Sequence, residues 1–198
     1  MQPVTSSHSG LLQGAKPLHE TLMGRAALAV AATLFVAACA HVSIPLFFTP
    51  VPITLQTFAV ILVGMALGPV AGFSAMALYL AEGAMGLPVF SPAGPGGVAH
   101  LIGPDAGFLF AYPLTAAAAG WIVRSTPRFV SRFSSAILAG IGSSIITFAL
   151  GAFWLAHLLH LGTAAAWSLA VAPFLAGEAI KITAAAGIYS TAQRWRRA

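Results

Sequence analysis

"APFLAGEAIKITAAAGIY", residues Ala172 to Tyr189, is almost wholly apolar and small, yet it carries Glu178 and Lys181 three positions apart in its middle. A helix needs ~20 mostly apolar residues to cross a bilayer, and this run supplies about that many. An ionisable group inside such a span costs a few kcal/mol and as a rule faces the bundle interior or a cavity. A separation of three puts both charges on one helix face. The stretch therefore reads as a membrane-spanning helix, and it raises the question of what two charges do inside it.

The rest of the chain has the same character. Of its 198 residues, 59% are hydrophobic and 7% charged, and the mean hydropathy is +0.91. A soluble domain carries about 25% charged residues, so this is an integral membrane protein. The net charge of +5 does not point to nucleic acid, because Lys and Arg sit where helices leave the membrane and form no patch interleaved with aromatics. The single cysteine, Cys39, excludes an intrachain disulfide.

Six spans are expected, at about Arg25–Ser43, Ile53–Pro69, Val70–Leu87, Asp105–Val123, Ser135–Leu158 and Val171–Tyr189. The second and third are joined by a tight "LGPVAG" turn, punctuated by Gly and Pro. The fold class is all-α, with one membrane domain over residues 25–192. A polar segment over 1–24 is expected to be disordered, and a basic tail covers 193–198. Lys16 and Arg25, then Arg124, Arg128 and Arg132, then Arg194, Arg196 and Arg197 all fall on one side of six spans. The opposite loops, about 44–52, 88–104 and 159–170, hold no Lys or Arg. The positive-inside rule makes that charged side, and both termini, cytoplasmic. "LFVAACA" before His41 resembles a lipoprotein or A-x-A cleavage site, but small residues recur along the whole first helix and read better as a packing face.

The chain has four acidic residues, Glu20 in the tail and Glu82, Asp105 and Glu178 in or at the spans; Lys181 is the one basic residue deep in a span. Counting ~1.5 Å per residue from Val171, Glu178 and Lys181 lie roughly 10 and 15 Å deep. The pair is either self-neutralising or the polar floor of a ligand site. Apolar residues easily replace a purely structural pair, so its presence leans toward use. Glu82 lies at similar depth and reads either as sharing that cavity or as reaching out to water. Asp105 opens the fourth span, where N-terminal dipole stabilisation is sufficient reason for it.

Two outer loops stand out. Residues 86–107, "GLPVFSPAGPGGVAHLIGPDAG", hold six Gly and four Pro in 22 residues. Loops this long are usually functional or disordered. With no G-K-[ST] after it, this one is no phosphate cradle; a lid or re-entrant element fits better. In "HVSIPLFFTPVPITLQTF", Pro45, Pro50 and Pro52 favour an extended path, Phe47 and Phe48 offer apolar surface, and Thr54, Gln56 and Thr57 enter the second span. Those neutral polar groups suit either a polar ligand or helix packing. His157 and His160 have i,i+3 spacing, but no carboxylate or Cys accompanies them, and they read as interfacial rather than metal-binding. No nucleophile–base or metalloprotease motif is present, and no ATPase motif. Trp121, Trp154 and Trp167 fall near span ends, as interfacial aromatics do. Ala27 and Ala31 form a small-xxx-small pair on the first helix, suited to an internal contact or to docking another membrane subunit.

Taken in order, "TPVPITLQTFAVILVGMALGP", "LYLAEGAMGLPVF", "PGGVAHLIGPDAGF" and the Glu–Lys helix resemble the BioY family, the biotin-binding S components of energy-coupling-factor (ECF) transporters. The resemblance runs from about residue 25 to 192. It implies an S-component-like bundle of six helices in a bacterial cell membrane, and capture of biotin near the outer face under the loop after helix one. It also implies partners: a transmembrane coupling protein with ATP-binding cassette ATPases, docked on Ala27 and Ala31. Membrane lipid surrounds the chain, and a homo-oligomer stays open. Biotin is the substrate; no cofactor, metal or enzymatic role is implied. The candidate substrate-binding residues are Lys181, Glu178, Glu82, Asp105, Gln56, Thr54, Phe90 and Gly97. Lys181 is matched to the biotin carboxylate and Glu178 to the ureido N–H groups, with the ends interchangeable. Three departures from the family pattern bear on site charge: Glu178 where Asp is usual, Asp105 where the family has a neutral Thr, and Glu82 where a neutral residue is typical. The competing readings are an ion-coupled secondary carrier of a small anionic metabolite using Glu82 and Glu178 as relays, an intramembrane lipid enzyme, and a ligand-free scaffold subunit.

Overall fold

The computed structural model describes residues 22–127 and 129–195. Lys16, Glu20, Arg128, Arg196 and Arg197, most of the expected polar tail and the end of the basic one lie outside the described residues. The element order is α1 (Leu22–His41), β1 (Ser43–Leu46), β2 (Thr49–Thr54), α2 (Gln56–Leu67), α3 (Pro69–Ala84), α4 (Gly97–His100), α5 (Ala106–Ser125), α6 (Arg132–Leu158), α7 (Thr163–Ala170), a 3-10 turn (Ala172–Phe174) and α8 (Leu175–Trp195).

Each expected span coincides with a helix, but they are not six equal crossings. Among the described residues, four helical runs are long and apolar enough to cross a membrane: Leu22–His41, Ala106–Ser125, Arg132–Leu158 and Thr163–Trp195. The second and third expected spans are shorter. With 12 residues in α2 and 16 in α3, they reach only ~18 and ~24 Å at ~1.5 Å per residue, against a hydrocarbon core of ~30 Å. α2 is cut short because Ile53 and Thr54 belong to β2. The sixth span is shifted as well. The outer loop expected at 159–170 contains α7, and Pro173 sits in the 3-10 turn that separates α7 from α8. Glu178 and Lys181 are thus about one and two turns into α8. Arg194 lies within α8 rather than beyond it.

Small residues decide how closely the helices approach. Gly68 breaks the helix between α2 and α3 with φ +89°, a left-handed value that favours glycine, and Pro69 starts α3. The chain reverses there, so that a Cβ on Gly72 would lie 3.2 Å from Gly64 Cα. Gly64 and Gly68 on one side, Ala116 and Gly120 on the other, form facing small-xxx-small pairs. A Cβ on Gly64 would strike the carbonyl of Ala116, and one on Gly120 would lie 2.5 Å from the Gly68 carbonyl carbon. Arg124 of α5 donates from Nη2 to the Leu67 carbonyl (3.0 Å), satisfying a free acceptor at the end of α2. α5 and α6 share a hydroxyl pair, Thr115 to Thr147, at 2.7 Å.

The buried apolar residues form three clusters. One joins α1, α2, α3 and α5 around Val36, Met76, Tyr79 and Phe90. A second joins α2, α5, α6 and α8 around Ile61, Met65, Ile182 and Tyr189. The third, with Val51, Phe108, Leu155, Val171 and Phe174, seats the β hairpin and the 3-10 turn on α5 and α6. Cys39 is buried in the first cluster within a continuous α1.

The proline-rich loop after α1 is extended, as its prolines suggest, but it is also paired. β1 and β2 form an antiparallel hairpin with Ser43 opposite Thr54 and Ile44 opposite Ile53. Its tip exposes Phe47 fully. Thr49 Oγ1 ties the hairpin to the Leu169 carbonyl of α7 at 2.8 Å. The Gly- and Pro-rich loop is likewise held down: Tyr79 donates to the Val89 carbonyl (2.7 Å) and Trp154 Nε1 to the Gly103 carbonyl (2.8 Å). Phe90 packs against the Tyr79 ring, over Gly83, where a Cβ would collide with it.

Candidate functional site

Where β2, α2, α5, α6 and α8 meet, a small cavity is lined by Val51, Pro52 and Thr54 of the hairpin, Gln56 and Thr57 of α2, and Phe108, Leu109 and Tyr112 of α5. Asp105, Phe148, Phe174, Glu178 and Lys181 complete the wall. Its volume is about 40 Å³, room for about one water at ~30 Å³ each. A vitamin-sized ligand therefore enters only when a wall moves, and the hairpin is the wall with the fewest helical constraints. A larger cleft of about 320 Å³ lies between α6 and α8 alone. That cleft is mostly apolar, and its Ile141 and Ile145 are exposed on the outside of the bundle. The smaller cavity holds the polar chemistry and is the candidate site.

Both charges of α8 are buried, Glu178 4% and Lys181 8% exposed. They are kept charged-compatible by a complete set of partners, as burial requires. Lys181 Nζ donates to Thr57 Oγ1 at 2.9 Å and lies 3.4 Å from Glu178 Oε2. Thr57 in turn donates to Glu178 Oε2 at 2.8 Å, and Ser144 donates to Glu178 Oε1 at 2.7 Å. Three helices thus meet at one carboxylate. Thr54 and Gln56 follow a local logic: Thr54 Oγ1 donates to Gln56 Oε1 (3.1 Å), while Gln56 Nε2 donates to Tyr79 (2.8 Å).

Of the eight candidate binding residues, the structure brings five to the cavity: Lys181, Glu178, Asp105, Gln56 and Thr54. Glu82 does not line it. Its carboxylate accepts from Thr33 of α1 at 3.1 Å, so a shared cavity with Glu178 is not what the fold builds; α3 turns that side chain toward α1. Phe90 stands behind the wall, between Tyr79 and His100. Gly97 has φ +59° and open space beside it. Asp105 occupies the N-cap position of α5, as its place at the start of the fourth span implies, without a side-chain cap bond; its carboxylate goes to His100 Nε2 at 2.8 Å, a partner beyond the helix dipole. Ser144, His100 and Tyr112 escaped notice in the sequence. A Ser pair, Ser143–Ser144, in the middle of an apolar 27-residue helix was the available signal for the first. Ala27 and Ala31 are exposed, with exposed Leu28, Val30 and Leu34 beside them. His157 and His160 are exposed, and no group of three or more His, Cys, Asp or Glu forms among the described residues.

Residues 12–198 match the BioY family over nearly the whole chain. The chain belongs to the BioY family. It is 39% identical over 154 residues to the biotin transporter BioY of Thermotoga maritima, covering 78% of this chain and 86% of that one. It is 36% identical over 184 residues to the biotin transporter BioY of Rhodobacter capsulatus, covering 89% and 93%. A crystal structure of the S-component for biotin from an ECF-type ABC transporter superposes with a TM-score of 0.75 at 25% identity, covering 86% of this chain and 90% of that one. This BioY-family chain is thus an all-α, multi-span membrane bundle of the S-component type, and a transport subunit rather than an enzyme. Its polar cavity sits where the Glu–Lys helix α8 meets the proline-rich hairpin.

Proposed function

We propose that this chain is the biotin-capturing membrane subunit of an ECF-type uptake system, and that biotin binds in the cavity between the hairpin, α2, α5 and α8. The observation that carries this reading is the Lys181–Thr57–Glu178 network at the cavity wall, with Ser144 holding Glu178 from the α6 side. A bilayer-embedded chain keeps an ammonium and carboxylates at one place only for a polar, charged ligand or a structural pair, and biotin offers both a carboxylate and N–H donors. In this reading Lys181 meets one polar end of biotin, and the hairpin lifts to admit it.

The bundle then has six membrane-embedded helices, α1, α2, α3, α5, α6 and α8, with α2 and α3 as a short pair turning at Gly68. Both termini face the cytoplasm, because Arg25, Arg124, Arg132 and Arg194 fall on one end. The exposed Ala27–Ala31 face of α1 suits a coupling protein, which with its ATPases supplies the energy that the chain has no motif to harvest. The test is calorimetric titration of biotin into the purified protein, beside thiamine and riboflavin. One equivalent of biotin bound per chain, and neither of the other vitamins, supports the assignment; no biotin binding removes it.

A further inference from the structure

Two carboxylates line the cavity, and they are not equivalent acceptors. An ionised carboxylate has about four lone-pair sites. Glu178 has three donors on its two oxygens: Ser144 on Oε1, Thr57 and Lys181 on Oε2. Asp105 has one, His100 on Oδ2. Its Oδ1 has no hydrogen-bond partner among the described residues, and the side chain remains 19% exposed.

His100 is built to hold that carboxylate still. It is 1% exposed, packed at a tilt against Phe90 with a centroid distance of 5.0 Å, and closed in by Gly94, where a Cβ would run into the imidazole. Its Nδ1 is buried without a partner among the described residues. The hydrogen-bond pattern assigns the proton to Nε2, because an unmet lone pair on Nδ1 costs less than an unmet N–H there. A ring so confined cannot turn away from Asp105.

We infer that Asp105, fixed by His100, is the carboxylate that accepts the ligand's N–H donors, while Glu178 is an internal counter-ion that orients Lys181. This rests on the biotin reading and assigns the ends within it: the N–H-bearing ring faces Asp105, and the acid tail faces Lys181. His100 acts through Asp105 and is a positioning residue. A cavity of this kind favours ligands whose N–H-bearing end is positively charged.

The test uses the intact purified protein and two probes that differ at that end only. Biotin carries a neutral cyclic urea, and 2-iminobiotin a cyclic guanidine that is cationic when protonated. Charge-assisted hydrogen bonds are about twice as strong as neutral ones. Asp105→Asn is expected to weaken 2-iminobiotin about tenfold more than it weakens biotin. Glu178→Gln is expected to move both affinities alike. His100→Phe should copy Asp105→Asn, His100→Gln, which can still donate, should restore the wild-type ratio, and His100→Phe in the Asp105→Asn background should add nothing to the ratio. A wild-type protein that binds biotin, with a ratio that Asp105→Asn leaves unchanged or that Glu178→Gln shifts, overturns this inference alone. A wild-type protein that binds neither probe overturns the biotin reading together with it.

Discussion

Lys181 on α8 donates to the hydroxyl of Thr57 on α2 at 2.9 Å, and the same hydroxyl donates onward to Glu178 at 2.8 Å. One threonine thus bridges both charges of the pair and fastens two helices together. Valine has nearly its shape without the hydroxyl. Thr57→Val is expected to leave Lys181 and Glu178 each short of a partner, at a cost of about 1–3 kcal/mol. The thermal midpoint in detergent should fall and biotin affinity should drop about tenfold, while Thr57→Ser should keep most of both.

Lys181 is assigned two duties, pairing with Glu178 and meeting the ligand, and they separate experimentally. Lys181→Met removes the ammonium and leaves Glu178 buried without its cation, a kind of loss worth ~3–5 kcal/mol in buried pairs. Adding Glu178→Gln removes the stranded charge. The double variant should regain much of the lost thermal midpoint yet still bind biotin at least tenfold more weakly than wild type. Recovery of affinity along with stability would show that Lys181 does not touch the ligand.

The close approach of α2, α3 and α5 depends on atoms that are not there. A Cβ at Gly64 meets the Ala116 carbonyl, which is backbone and cannot step aside. Gly64→Val should therefore abolish or sharply reduce the yield of folded protein, measured by monodisperse elution in detergent. Gly177→Ala serves as the control, since a Cβ there meets nothing within 4 Å.

How much of this was legible beforehand varied with the range of the interactions. Glu178 and Lys181 share a face by spacing alone, and a charge inside an apolar run announces itself. Ser144 does not, because a serine in a membrane helix is equally a packing residue, and only the fold turns it toward Glu178. Glu82 looked like a neighbour of Glu178 because depth was all the sequence offered; rotation of α3 about its axis sends it to Thr33 instead. The prolines at 45, 50 and 52 correctly implied extended chain, but strand pairing across a two-residue tip is set by register, which prolines do not report. α7 was hidden in a loop because eight residues are too few to show a span. Asp105 reads as a helix N-terminus, and it is one; its side-chain partner, His100, ends the four-residue α4 five positions back, an element too short to show periodicity.

The exposed Ala27–Ala31 face predicts a split between capture and transport. Ala27→Leu with Ala31→Leu adds bulk on a surface that is exposed among the described residues. Biotin affinity of the purified double variant should match wild type. Uptake of labelled biotin by cells carrying the coupling protein and ATPases should fall to background. Loss of binding in the same variant would instead place these alanines in the folding of α1.

Whether biotin occupies the cavity under the β1–β2 hairpin is tested by a structure of the protein with biotin bound. The account expects biotin between α2, α5 and α8, with the hairpin displaced outward from its present 40 Å³ enclosure and a ligand oxygen within hydrogen-bonding distance of Lys181 Nζ. Biotin lodged instead in the cleft between α6 and α8, with Lys181 still closed on Thr57 and Glu178, would contradict it.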